Sequence, residues 1–207
     1  MDNYARSLEA ARQHFLEYDS ALLAKRPGMG ASGPYLTTCF LGADTRIARE
    51  TGRVTFSRDG FETFWEAGFS EALSVYDWLC DRRPDAAASG EFCPVGSLPG
   101  VYVGGSGLSM TGGTLAEKID KSPLAFSRAL GAMGGTPVPL GDMGFRLPVF
   151  PDLPMCLKFY HGDEDFPPSL TFLWDRNTLR FVRYETVYYI AGCLQARVSE
   201  NMGAQHG

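Results

Sequence analysis

Hydrophobic positions divide the chain into a helical opening, a β-rich stretch and a mixed remainder. Tyr4, Leu8, Ala11, Phe15, Tyr18 and Leu22 recur at alternating spacings of four and three. They form one stripe of a helix over residues 3–25 that stops before Pro27 and Gly28. From Tyr35 the period changes to two. Residues 35–41, 45–49, 53–57 and 61–65 read as short strands of an antiparallel meander, broken at Gly42-Ala43-Asp44, Thr51-Gly52 and Asp59-Gly60. Asp-Gly is a two-residue hairpin signal because it tolerates positive φ.

Ser70 is placed to cap a helix carrying Leu73, Tyr76 and Leu79, which ends at Arg82-Arg83-Pro84. Residues 84–113, dense in Gly, Pro, Ala and Ser, read as connection. A short helix is expected over 114–119. Another opens at Ser122-Pro123, with Phe126, Leu130 and Met133 on its apolar face and Gly134-Gly135 closing it. A hairpin of 155–160 and 170–174 then precedes a final helix from Arg183, whose buried face is Val187, Ile190, Leu194 and Val198. These elements predict a single α+β domain over 1–207. Its antiparallel sheet comes from the N-terminal meander plus the late hairpin, with helices packed mainly on one face and the last few residues disordered.

Composition excludes more than it assigns. With 44% hydrophobic and 21% charged residues the chain belongs to neither a disordered nor a fibrous class. A net charge of -5 gives no electrostatic footprint for nucleic acid. Residues 187–194, the longest apolar run, are too short to span a membrane, and the first residues lack the basic-then-apolar order of a secretory signal. Cys39, Cys80, Cys93, Cys156 and Cys193 are odd in number and widely scattered, which reads as reduced thiols of a cytoplasmic protein and assigns no metal site.

The densest candidate chemistry lies in His161-Gly162-Asp163-Glu164-Asp165-Phe166-Pro167-Pro168, a constrained loop between two apolar strands. His161 with Asp163, Glu164 and Asp165 could ligate a hard cation or act as an acid–base pair. The spacing is not that of an EF-hand, and consecutive acids on an extended segment cannot all face one pocket. The plainer expectation is a tight turn in which Asp163 caps backbone N–H groups and Phe166 packs inward. Gly104-Gly105-Ser106-Gly107-Leu108-Ser109 suggests a phosphate loop but lacks both the Lys-Ser/Thr ending and the G-x-G-x-x-G register, and so reads as a flexible loop. His14 lies between stripe residues and His206 in the tail, which leaves His161 as the candidate base. Cys93 and Cys156 would be nucleophiles only with stabilised thiolates. Arg176, Arg180 and Arg183 fall at intervals suited to one helical face, solvated and paired with Asp175 and Glu185.

Residues 159–168, with Phe172-Leu173-Trp174-Asp175 and Glu185, resemble the domain-of-unknown-function family 3786, found largely in anaerobes. They match its Gly-Asp-Glu-Glu-Phe-Pro run, its following Leu-Phe-Asp and its later Glu. Weaker agreement extends through Gly134-Gly135, Pro123-Leu124-Ala125 and Leu98-Pro99-Gly100 to the helix at 70–79. Asp165 stands where Glu is usual, and Tyr184-Glu185-Thr186 where the family tends towards Thr-Glu-Asp. Some relatives carry an appended iron–sulfur domain whose cysteines this chain lacks. The resemblance implies no activity, so the cofactor stays unassigned.

The reading is a non-catalytic cytoplasmic domain that binds a small-molecule ligand or serves as an accessory protein. The binding candidates are His161, Asp163, Glu164, Asp165, Phe166, Trp174, Asp175 and Glu185. Two alternatives stay open: an enzyme using His161, Asp163 and Glu164 with Glu185 nearby, and a protein–protein adaptor built on an exposed patch around Phe166 and Trp174.

Overall fold

The computed structural model describes residues 3–101 and 113–203, and within them ten strands form two antiparallel sheets of five. The first sheet is a meander of β1 (Gly30–Ser32), β2 (Tyr35–Phe40), β3 (Ala43–Ala48), β4 (Val54–Ser57) and β5 (Trp65–Glu66), each paired with the next. Alternation sorts its side chains. Leu36, Phe40, Thr45, Ile47, Val54 and Phe56 are buried, while Tyr35, Arg46 and Thr55 belong to the opposite face.

The second sheet runs in the order β6 (Phe92–Cys93), β10 (Ser169–Asp175), β9 (Leu153–Tyr160), β8 (Met143–Phe150), β7 (Thr136–Val138). The late hairpin pairs as expected: Leu170 lies opposite Phe159 and Phe172 opposite Leu157, all four buried. The fold is thus α+β, with the meander and the late hairpin in separate sheets. The two sheets meet where the Leu41 N–H donates to the Val149 carbonyl at 2.9 Å. There the Phe40 ring lies 4.9 Å from Phe150, which stacks on Trp78 at 4.4 Å. Arg197, buried at this seam, donates to the carbonyls of Phe40 and Leu41 and pairs with Glu71 at 2.7 Å.

Six helices accompany the sheets: α1 (Asn3–Leu16), α2 (Ser20–Leu23), α3 (Phe69–Cys80), α4 (Thr114–Lys121), α5 (Pro123–Ala132) and α6 (Tyr184–Gly203). Where one helix was expected over 3–25 there are two, because the Asp19 carboxylate accepts from the Ala21 N–H at 2.8 Å and starts α2 afresh. The stripe runs through the break since Tyr18 still packs, its hydroxyl donating to the Cys80 carbonyl at 2.8 Å. Gly68, not Ser70, occupies the N-cap of α3, and Glu71 reaches back to accept the Gly68 N–H at 3.0 Å. On α6 the expected face is buried throughout: Val187, Ile190, Leu194 and Val198.

Asp59-Gly60 does not make a two-residue hairpin. Asp59 accepts from the Thr63 N–H and hydroxyl and from the Ser57 hydroxyl, folding residues 58–64 into a wider loop that leaves β5 only two residues long. The glycine-rich segment 104–109, His206 and the tail expected to be disordered lie outside the described residues.

Candidate functional site

A cleft of about 570 Å³ opens between α1, α3 and the start of α6. Its walls combine the Phe69, Tyr76 and Tyr189 rings with Asp77, Asp81 and Glu185, and His14 lies at the α1 side. Asp77 is the centre of the arrangement. It sits in a stretch of α3 where every residue from Ala72 to Cys80 is buried, and is itself only 1% exposed. A buried carboxylate needs partners, and Asp77 has them. The Arg183 backbone N–H donates to it at 2.7 Å and the Arg183 Nε at 2.5 Å. Arg183 also reaches Asp81 at 3.3 Å. Since Arg183 immediately precedes α6, Asp77 also places negative charge at that helix's N-terminus.

Burial raises the Asp77 carboxyl to about 6, helped by its hydrogen bond with Asp81 and opposed by Thr186 and Arg183. Burial likewise pushes the neighbouring Cys80 thiol up to about 12, so it is no thiolate at neutral pH. Cys93 and Cys156 are raised for the same reason, Cys156 to about 11, which removes both as activated nucleophiles. Glu185 is exposed and makes no hydrogen bond or salt bridge among the described residues.

The loop of residues 161–168 lies apart from this cleft. Asp163 does cap the turn: its Oδ1 accepts the N–H groups of Asp165 at 2.9 Å and Phe166 at 2.8 Å, while its own N–H donates to the Phe166 carbonyl. Gly162 is required by close approach, since a Cβ there would lie 2.8 Å from the Pro168 Cδ. Phe166 does not pack inward; it is 70% exposed because the cap turns it away from the sheet. Glu164 and Asp165 are exposed beside it. The His161 Nδ1 lies 2.7 Å from Asp120 on α4, and its backbone N–H donates to Asp142 at 2.8 Å. That pair could hold a proton on an oriented imidazole, but Asp163 is spent on the turn, which leaves no second acid–base group in contact with it.

The sequence profile of the family described as Domain of unknown function (DUF3786) matches residues 19–197. The chain belongs to this family. No curated protein and no solved structure matches it. The DUF3786 span includes the loop at 161–168 together with Asp77 and Arg183, whereas α1, which forms one wall of the cleft, precedes it.

Of the other predicted site residues, Trp174 is fully buried and joins no exposed patch. Asp175 is buried as an anchor, accepting the N–H groups of Ser89, Gly90 and Asn177 and the Ser89 hydroxyl. Glu185 lines the cleft and not the surroundings of His161. The three arginines share no helical face: Arg180 closes a 3-10 turn and Arg183 precedes α6. Their partners are Glu91 for Arg176, Asp85 for Arg180, and Asp77 with Asp81 for Arg183. The sequence reading missed Asp77, whose signal is a lone carboxylate in an otherwise apolar helical run. It also missed Asp120, which no spacing connects to His161. Among the described residues no group of three or more His, Cys, Asp or Glu side chains is placed to hold a metal ion, and no helix is long and apolar enough to cross a membrane.

Proposed function

We propose that this DUF3786 protein is a non-catalytic, cytosolic small-molecule-binding domain of an anaerobe, and that its ligand is a compact organic cation with an aromatic or apolar body. The observation that carries this reading is the lining of the α1–α3–α6 cleft: three aromatic rings and three carboxylates against one arginine. Asp77 and Asp81 are held by Arg183, so Glu185 is the carboxylate left to receive a positive group, with Tyr189 and Phe69 beside it, their rings 5.5 Å apart. Five free cysteines support the cytosolic placement, and the family's distribution supports the anaerobe.

Native and denatured masses of anaerobically purified protein, compared directly, should differ by a retained small molecule. Tyramine and benzylamine should raise the melting temperature of the wild type and not of Glu185→Gln. Identical masses together with no amine-dependent shift would sink the reading.

A second reading, an accessory protein that docks a partner, is favoured by Phe166. A phenyl ring held outward by a capped turn between exposed acids is a contact residue without a contact. It predicts a basic, apolar partner surface. Cross-linking from residue 166 that captures the same protein repeatedly, and loses it in Phe166→Ser, would support it over the cleft.

A further inference from the structure

The outward face of the first sheet carries a charged group with nothing to bind. Arg46, at the middle of β3, has its guanidinium 3.8 Å from the Phe61 ring centroid and 5.4 Å from that of Tyr35. Its Nε is buried with no hydrogen-bond partner, and among the described residues its side chain makes no hydrogen bond or ion pair. A guanidinium presents five donors in a planar fork suited to an oxyanion. Two aromatic rings fix that fork in place and satisfy none of its donors.

The surroundings complete a receptor. A depression of about 300 Å³ is lined by Arg46, Arg53, Thr51, Thr55, Phe61 and Phe64, together with Tyr35 and Ala48, and no carboxylate is among them. The nearest acids are engaged elsewhere: Glu66 with Arg53, and Asp59 with Ser57 and Thr63. Phe64 is 61% exposed at the rim, a large ring without a packing partner. Phe61 is held at φ +74, a left-handed conformation that a bulky residue avoids unless its surroundings impose it. Here the Asp59 cap imposes it, and the result is a ring laid on Arg46. Strain kept to place one side chain over a free cation is a feature that packing alone does not explain.

We infer that this face binds a small planar anion, a carboxylate or phosphate monoester on an aromatic ring, with Arg46 receiving the oxyanion and Phe61, Phe64 and Tyr35 receiving the ring. The site shares no residue with the α1–α3–α6 cleft and takes the opposite charge, so the two stand or fall separately.

The test is a calorimetric and NMR titration of the full chain with benzoate, phenyl phosphate, inorganic phosphate and neutral benzamide. Benzoate or phenyl phosphate should bind saturably and shift the Thr55 and Phe61 signals, and whichever binds tighter identifies the oxyanion. Benzamide and inorganic phosphate should each bind about tenfold more weakly or worse, since each lacks one half of the recognition. Arg46→Gln should lose binding by a similar factor. Phe61→Gly relieves the backbone, so it should keep or raise the melting temperature while still weakening binding. Failure of both aromatic anions to saturate, equal binding by Arg46→Gln, or equal binding by benzamide or inorganic phosphate would overturn the inference.

Discussion

Phe166 and Asp77 show how one side chain's surroundings decide its role. Both inner strands of the hairpin around Phe166 are apolar, so an aromatic between them reads as core. The Asp163 cap reverses that by fixing the backbone so that the ring leaves the sheet. Phe166→Ala should therefore change stability by no more than about 0.5 kcal/mol, as for other exposed positions. Asp163→Ala should cost about 1 kcal/mol and Asp163→Asn much less, because the amide oxygen accepts the same bonds. Thermal unfolding of the three variants checks the ranking. Asp77 gives a pH dependence. Its folded carboxyl is raised from the ordinary 3.8 to about 6, so the folded state holds a proton that the unfolded chain releases. The stabilisation is complete below the unfolded value and is lost as pH rises through about 6, by roughly 3 kcal/mol at most. Asp81, Arg183, Glu185, Thr186 and His14 surround it, so its share is isolated by comparison with Asp77→Asn, which should flatten the slope of stability between pH 4 and pH 6. A variant with the wild-type slope would place the titration elsewhere.

Elements were legible where a buried face repeats and illegible where a cap or a partner strand decides. α3, α5, α6 and the β9–β10 pair follow from periodicity, since each buries one regular stripe. The break between α1 and α2 does not, because Asp19 acts through one hydrogen bond while the stripe continues across it. β8 was missed although Phe145, Leu147 and Val149 alternate inward, since Gly144 and Pro148 interrupt the run and Pro148 sits at a bulge. The β2–β3 turn matters beyond its own hairpin. Gly42 has φ +78, and a Cβ on it would lie 2.4 Å from the Met133 Cα at the end of α5. Gly42→Ala thus combines backbone strain with a clash that only movement of α5 can relieve, and should cost at least about 2 kcal/mol. Gly33 also has positive φ but open space around it, so Gly33→Ala should cost only about 1 kcal/mol. Urea midpoints of the two variants measure the difference.

At the scale of the molecule, two sheets that never pair with each other are joined through one hydrophobic cluster, which takes in Phe40 and Phe56 of the first, Phe150 and Trp174 of the second, and Trp78 between them. Such a shared core should unfold as a unit, because neither sheet can release its inner face without exposing the other's. The three tryptophans report on it from three places. Trp65 lies in the first sheet, where its ring is 5.7 Å from Phe56; Trp78 lies in α3; Trp174 lies in the second sheet. Phenylalanine replacement of two at a time leaves a single reporter. Trp174→Phe removes a buried N–H that has no partner and so sacrifices packing alone, whereas Trp78→Phe also loses the bond to Asp152 at 3.1 Å. The variants will therefore differ in stability, and the comparison must be made within each one. In every single-tryptophan chain the fluorescence midpoint in urea should coincide with the midpoint of the far-ultraviolet circular dichroism. A Trp65 signal that moved at lower urea than the dichroism would show that the first sheet opens by itself, and that the seam of Arg197, Phe40 and Phe150 does not couple the two halves.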